Sequence, residues 1–450
     1  MRRTGPSTTI VAVVVLLCGL TLSLGYLNKA RCAGSPYDDN GRSLVFDTIK
    51  DSDVCYSDIQ FLWLGRDIDK HVFPYVDGGI TPDGLLTGGS VEYPVLSGAL
   101  MWLGAIGAHT DAQFLFNSAL LLAPFALLTA WMLGRLSGRY ALLWSIGPPL
   151  VLYAFHNWEL PVVFTAVAAV YVVTRQRFSL RTRAVVAAVL LGLGFCLKLY
   201  PGVFVLPLAL YVLAKGRDEI GRYDVRGALA VIGSAVATVV AVNLPFAIAG
   251  YTGWLASFTF QQQRRADITT NTIWYWGLRP LFLHDEPGEN AFQTLVSIAS
   301  PTLILGSFAL ALWLGWKRYH ATESYPWINV SAAMLCGFLL FHKVHSPQYT
   351  LWLIPFLVLL SVPWSTIAAY LVADAAVGIG VFRYFYALAI DQDVELAQGV
   401  VQFGVWGRAV LLAWLFFAFL RAPLRVPLDD SEPTAVASSG KLVGSAPAPA

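Results

Sequence analysis

Residues 8–27 read TTIVAVVVLLCGLTLSLGYL, twenty positions without a charged side chain, a few residues beyond Arg2 and Arg3. A helix rises 1.5 Å per residue, so the run is ~30 Å long and matches the hydrocarbon thickness of a bilayer. The chain leaves it through GYLNKARCAG, with no clear small-x-small cleavage site. The run is also longer than a usual signal core, and it reads as a retained anchor. Similar runs recur along all 450 residues, of which 56% are hydrophobic and only 13% charged, with a mean hydropathy of +0.61. Several soluble domains are excluded by that composition, and an all-α polytopic membrane protein is implied.

Candidate spans are 8–27, 112–134, 140–155, 160–174, 184–199, 201–214, 227–249, 292–316, 326–341, 347–362, 364–383 and 400–420, about twelve with a range of 11–13. Lys and Arg accumulate in short cytoplasmic loops, which orients them. With both termini cytoplasmic, Arg135 and Arg139, the basic residues of 175–183 and 215–226, Lys317 and Arg318, and Arg421 and Arg425 all fall inside. This requires residues 93–107 to lie along or dip into the outer face without crossing. The first outer segment, 28–111, then carries eleven acidic against six basic side chains over 28–92, and apolar patches such as IQFLWL that predict short interfacial helices. Residues 1–422 form the membrane domain. The Pro-, Ala- and Ser-rich end from 423 to 450 predicts a disordered cytoplasmic tail.

Of five cysteines, Cys18, Cys196 and Cys336 sit in apolar runs and read as small buried hydrophobes. Cys32 and Cys55 share the first loop and could form a disulfide if that loop is extracytoplasmic.

Three polar groups interrupt the apolar pattern on the expected outer face. Asp58 stands in VCYSDIQF, with GRDIDK and VEYP nearby; Lys198, Arg264, Arg265, His342, Lys343 and His345 form a cationic set; and HNWE supplies His156, Asn157 and Glu159. A carboxylate on an outer loop is ordinarily solvated or a helix cap, and Asp58 could cap a helix over 59–65. A carboxylate facing cations at the edge of hydrocarbon also suits transfer from a lipid-linked phosphate donor. The acid takes the acceptor's proton and the cations neutralise the departing phosphate. For Lys198, snorkelling of the ammonium to the interface is an equal alternative. Asp374, within a predicted span, is either functional or hydrogen-bonded to a neighbouring helix. DID at 67–69 is too short to stand for a metal-dependent sugar-nucleotide site, and P-loop, H-E-x-x-H and paired C-x-x-C motifs are missing.

CYSDI (55–59), VEYPVLSG (91–98), LKLYP (197–201) and HKVHSPQYTLWLIP (342–355) together resemble, in order, the motifs of actinobacterial polyprenol-phosphate-mannose-dependent mannosyltransferases of glycosyltransferase family 87, in the GT-C superfamily. The likeness runs from the first span to about residue 360 and departs from the family pattern at His342 and His345. It implies a plasma-membrane, multi-pass enzyme whose site faces away from the cytoplasm. Its partners would be a polyprenyl-phosphate sugar donor, a glycolipid or envelope-glycan acceptor and membrane lipids, with no nucleic acid. No cofactor and no metal would be needed. Transfer would invert the anomeric centre, with mannose in an α-1,2 link as the family's preference and Asp58 as general base. Lys198, Lys343 and His345 match positions suited to donor phosphate or sugar, and Arg264 and Arg265 are added less directly. Glu92, Tyr93 and Glu159 are candidates for positioning the acceptor. A transporter or lipid flippase also suits twelve spans, but such proteins tend to show repeated halves and midplane polar sites. No half-chain repeat is evident, and a non-catalytic scaffold leaves the meeting of acid and base unexplained.

Overall fold

The computed structural model describes residues 7–175 and 177–425, with 217–220 described by backbone alone. Helix α1 runs Thr8–Ala30 and is capped by Ser7, whose Oγ accepts from Thr9 N at 3.3 Å. The first loop then folds across one end of the molecule as α2 (Phe46–Ile49), α3 (Asp58–Gly65), a small antiparallel ladder of β1 (Gly79–Ile80) with β2 (Leu86–Thr87), and α4 (Val95–Ala105). Helix α5 (Asp111–Ser137) starts where the Thr110 hydroxyl accepts from Gln113 N. The short α6 (Leu142–Ser145) and α7 (Pro148–Tyr153) follow, and then α8 (Glu159–Val173) and α9 (Leu180–Leu197). Next come α10 (Tyr200–Val203), α11 (Val205–Ile220), α12 (Val225–Ala249) and α13 (Tyr251–Gln263). The chain closes through α14 (Glu286–Thr322), α15 (Trp327–Phe341), α16 (Thr350–Leu359), α17 (Trp364–Ala389) and α18 (Glu395–Arg421).

Among the described residues, seven helices are long and apolar enough to cross a membrane, and five further apolar helices are shorter. This is an all-α polytopic membrane protein, as the composition predicts. All ten residues of α16 are buried, whereas Leu229, Val236, Leu244 and Ile248 of α12 are apolar and exposed. Such an inversion is stable only where lipid is the solvent of the outer face. Close helix approach depends on small residues. A Cβ on Gly25 of α1 would lie 2.9 Å from Leu150 O of α7.

Eleven of the twelve expected spans coincide with these helices, and the exception is 140–155. Helix α6 stops at Ser145 and α7 starts at Pro148. Pro148 and Pro149 have no N–H to continue the ladder of α6, so the chain returns from the end of α5 as short helical pieces packed on α1. The expected outer loop 384–399 contracts to 390–394 because α17 and α18 extend toward each other. Helix α4, at 11 residues or ~16 Å, is too short to cross. Its Ser97 Oγ donates to Leu197 O at 2.7 Å, joining it to the end of α9. The expected disorder from 423 also begins too early. Ser361 N donates to Pro423 O at 3.0 Å and Arg425 N to Leu359 O at 2.8 Å. Residues 426–450 of the expected tail lie outside the described residues.

Candidate active site

Ser57 opens α3 in extended conformation, and its Oγ accepts from Ile59 N at 3.2 Å while donating to Phe155 O at 2.7 Å. The helix is therefore capped by Ser57, which releases Asp58 from the capping role that sequence position allowed. Asp58 N donates to His156 O at 2.8 Å, setting the residue against the turn that follows α7. Its half-buried carboxylate accepts from Tyr56 OH at Oδ1 (2.8 Å) and from Asn157 Nδ2 at Oδ2 (2.6 Å). Asn157, 1% exposed, also donates to Tyr93 OH at 2.7 Å. Burial raises the Asp58 pKa above the ordinary 3.8. The two hydrogen bonds and Lys198 work against that rise, and Glu92 works with it. An acid so placed is a better proton acceptor than an ordinary solvated carboxylate.

Lys198 stands at the C-terminal end of α9, buried and paired with Glu159. Its ammonium lies 5.3 Å from the Tyr93 ring, 5.0 Å from Tyr349 and 5.5 Å from Trp352, an aromatic cage around one cation. Burial opposes its charge, but Glu159 first, then Tyr349 and Asp58, raise its pKa above the ordinary value and keep it cationic. Glu159 is fully buried, and its second oxygen accepts from Trp352 Nε1 at 2.6 Å. Both of its oxygens are thus committed to Lys198 and Trp352.

The other cations divide. Lys343 donates to Gln262 O at 3.3 Å, and burial, then Arg264, lower its pKa. Arg264 is half-buried and donates to Thr269 Oγ1 at 3.0 Å, and its charge also acts on Tyr349. Arg264 therefore reaches Tyr349 of the Lys198 cage, and Lys343 neighbours Arg264. Arg265 is exposed and acts on Glu289, away from the cage. The histidines are not cations here: burial pushes His342 down to about 4 and holds His345 well below its usual range. His345 instead anchors its loop, its N donating to Thr270 O at 2.8 Å. Glu92 is gripped by Arg66 through Nε (2.8 Å) and Nη2 (3.2 Å), and its backbone O accepts from Gln261 Nε2 at 2.6 Å. It lies at the rim of the site, close enough to influence Asp58. Cys32 and Cys55 are disulfide-bonded with Cα atoms 5.8 Å apart, tying the end of α1 to the residue before Tyr56.

Two features escaped sequence reasoning. Asn157 was visible in HNWE, but its apposition to Asp58 spans 99 positions that no spacing links. Arg408, a lone charge inside the apolar α18, carried a readable signal, because intramembrane charges are functional by default. It pairs with Asp374 of α17 at 3.7 Å, and Asp374 also accepts from Tyr153 OH (3.0 Å) and Thr350 Oγ1 (2.5 Å). Arg408 Nη2 donates to Asn271 O at 3.1 Å and His345 O at 3.4 Å, so the buried pair supports both cation-bearing loops. Among the described residues, no group of three or more His, Cys, Asp or Glu is placed to hold a metal ion.

A carboxylate oriented by two donors, facing a caged cation at the end of an apolar bundle, is suited to moving a proton beside a departing anion. The family comparison specifies the chemistry: residues 154–418 match the model of the mannosyltransferase (PIG-M) family. The chain belongs to that family. This mannosyltransferase is accordingly a GT-C-type membrane glycosyltransferase drawing on a lipid-linked sugar donor. The matched region contains Asn157, Glu159, Lys198, Lys343 and His345, and the first loop with Asp58 precedes it. No solved structure matches the mannosyltransferase.

Proposed function

We propose that the protein is an inverting mannosyltransferase of the family 87 kind. It takes mannose from a polyprenyl-phosphate donor and passes it to a hydroxyl of a glycolipid or envelope-glycan acceptor in an α-1,2 link. Asp58 is the general base. The observation that carries this reading is the Asp58 carboxylate held by Tyr56 and Asn157 next to the Lys198 cage. The acceptor oxygen attacks the anomeric carbon opposite the phosphate. The new carbon–oxygen bond forms as the bond to the phosphate oxygen breaks, Asp58 takes the hydroxyl proton, and polyprenyl phosphate leaves with the bonding pair. Lys343 and Arg264 contact that phosphate, while Lys198, already paired, supplies positive potential from behind it. His345 orients its loop and lines the donor site as a neutral group. Glu92 and Tyr93 border the acceptor. The sugar arrives on a substrate, and the mechanism calls on no separate cofactor or metal.

The site faces the extracytoplasmic side of the plasma membrane, and both termini are cytoplasmic. The sorting of Lys and Arg into the opposite loops supports that orientation, and a disulfide suits an oxidising compartment. The test is reconstitution with radiolabelled polyprenyl phosphate mannose and a lipid extract as acceptor, comparing wild type with Asp58→Ala and Asp58→Asn. Transfer should fall about 10²- to 10⁴-fold with both, and folded variants that transfer at the wild-type rate would overturn the assignment of the base. Orientation is checked by placing a single cysteine at Gly79, which an impermeant reagent should label in intact cells. Labelling only after permeabilisation inverts the topology.

A further inference from the structure

Lys29 lies in the last turn of α1 and is 2% exposed. A buried ammonium is costly unless paired, yet among the described residues Lys29 forms no ion pair. Its Nζ donates to Tyr56 O at 2.7 Å and to His156 Nδ1 at 3.4 Å. Burial holds His156 well below its usual range, and with its proton on Nε2 the neutral ring presents Nδ1 as an acceptor. The two segments Lys29 touches are those that build the base. Tyr56 OH donates to one oxygen of Asp58, His156 O accepts from Asp58 N, and Asn157, the next residue, donates to the other oxygen. One turn beyond Lys29, the Cys32–Cys55 disulfide fastens the same stretch to the same helix. The ring of Tyr56 packs on that of His156 at 5.5 Å, which closes the triangle around the ammonium.

We propose that Lys29 is a positioning residue for the general base: it holds the Tyr56 and His156 segments in the register that aims the Asp58 carboxylate. The inference rests on Asp58 being the base. The charged and titratable groups facing Asp58 are Lys198 from the end of α9, Glu92 before α4, Tyr56, and Tyr93 through Asn157. Those facing Lys29 are Asp58, Arg31 and His156. Lys198 is already matched by Glu159, so of the two lysines only Lys29 bonds directly to the segments that hold the base.

The experiment compares full-length wild type, Lys29→Met, Lys29→Gln, Lys29→Arg and Asp58→Asn in the reconstituted transfer assay across pH. Removing the charge should lower kcat about 10- to 100-fold, the scale of a misplaced catalytic group, with little change in donor KM. The acid limb of kcat/KM should move to higher pH, because the carboxylate loses a counter-charge, and Lys29→Arg should restore the limb and most of kcat. Carbodiimide labelling of Asp58, which needs the protonated carboxyl, should persist to higher pH in Lys29→Met than in wild type or Lys29→Arg. Lys29→Gln keeps a donor without the charge and carries the same readings where the methionine variant does not fold. If neither folds, Lys29 serves folding and the inference falls. It falls equally if Asp58→Asn abolishes transfer while a charge-free variant keeps the wild-type kcat, acid limb and labelling profile. If Asp58→Asn transfers normally, the base assignment itself has failed.

Discussion

The two halves of the site are held in place by different physics. The base side is a stretch of loop, 55–58, fastened at the polar end of the bundle by a disulfide, a serine cap and hydrogen bonds to carbonyls of 155–156. The cation side consists of two loops, around 264–273 and 342–349, supported from below by one buried ion pair, Arg408 with Asp374. The first arrangement fixes a direction: an acid whose two oxygens are both assigned can take a proton only along the directions left open. The second fixes a potential, holding Lys343 next to Arg264 and Arg264 within reach of Tyr349, a ring of the Lys198 cage. Disturbing the base side should therefore change the chemical step, and disturbing the cation side should change donor binding and stability.

The largest effect expected is on Asp58. Replacing it with Asn removes the proton acceptor but retains the shape, and kcat should fall about 10²- to 10⁴-fold with donor KM little altered. A rise in KM at constant kcat would assign Asp58 to binding and dissolve the contrast between the halves. Next comes the buried pair. Asp374→Asn or Arg408→Gln leaves an unmatched charge in the core and should cost about 3–5 kcal/mol of stability, read as a fall in the Tm of the solubilised protein. Donor KM should rise with it, because Arg408 supports His345 and Asn271. The double substitution Asp374→Leu with Arg408→Leu should recover much of the Tm but not the donor KM, which separates stability from loop support. Opening the disulfide with Cys32→Ser and Cys55→Ser should cost roughly 3 kcal/mol for a loop of this length. The loss should appear in kcat before donor KM, and the opposite order would show that the first loop serves the cation side as well. The smallest effect is on pH dependence. Because burial raises the Asp58 pKa, and the ionised form is the active one, kcat/KM should decline as pH falls through a value above 3.8. A limb at or below that value would mean that the carboxylate is solvated in the working enzyme.

Much of this architecture is legible along the chain. Hydrophobic transfer is close to a property of each residue, so summing it over windows locates most of the apolar helices. The same reasoning misjudges 140–155. Composition there is apolar enough to cross, but Pro148 and Pro149 deny the backbone the hydrogen bonds that one continuous helix needs. Asp58, Lys198 and Lys343 stand out as charges beside apolar runs. The charge state of His345 and the exposure of Arg265 are not legible there, because they depend on burial and direction, which sequence order does not record. The neutral imidazole of His345 and the outward Arg265 are consequences of packing.

The amino-acid sequence by itself determined that the protein is a membrane bundle and where most of its apolar helices lie, because these follow from local composition. Only the tertiary structure decided which partners its charges have. Ser57 takes the helix cap and frees Asp58, Asn157 reaches it across 99 positions, and Glu159 retires into the Lys198 cage. Arg408 also finds Asp374 in the bundle core, 3.7 Å away. Each pairing joins residues far apart in the chain, and its geometry is set by how helices pack, where one turn of rotation exchanges one partner for another.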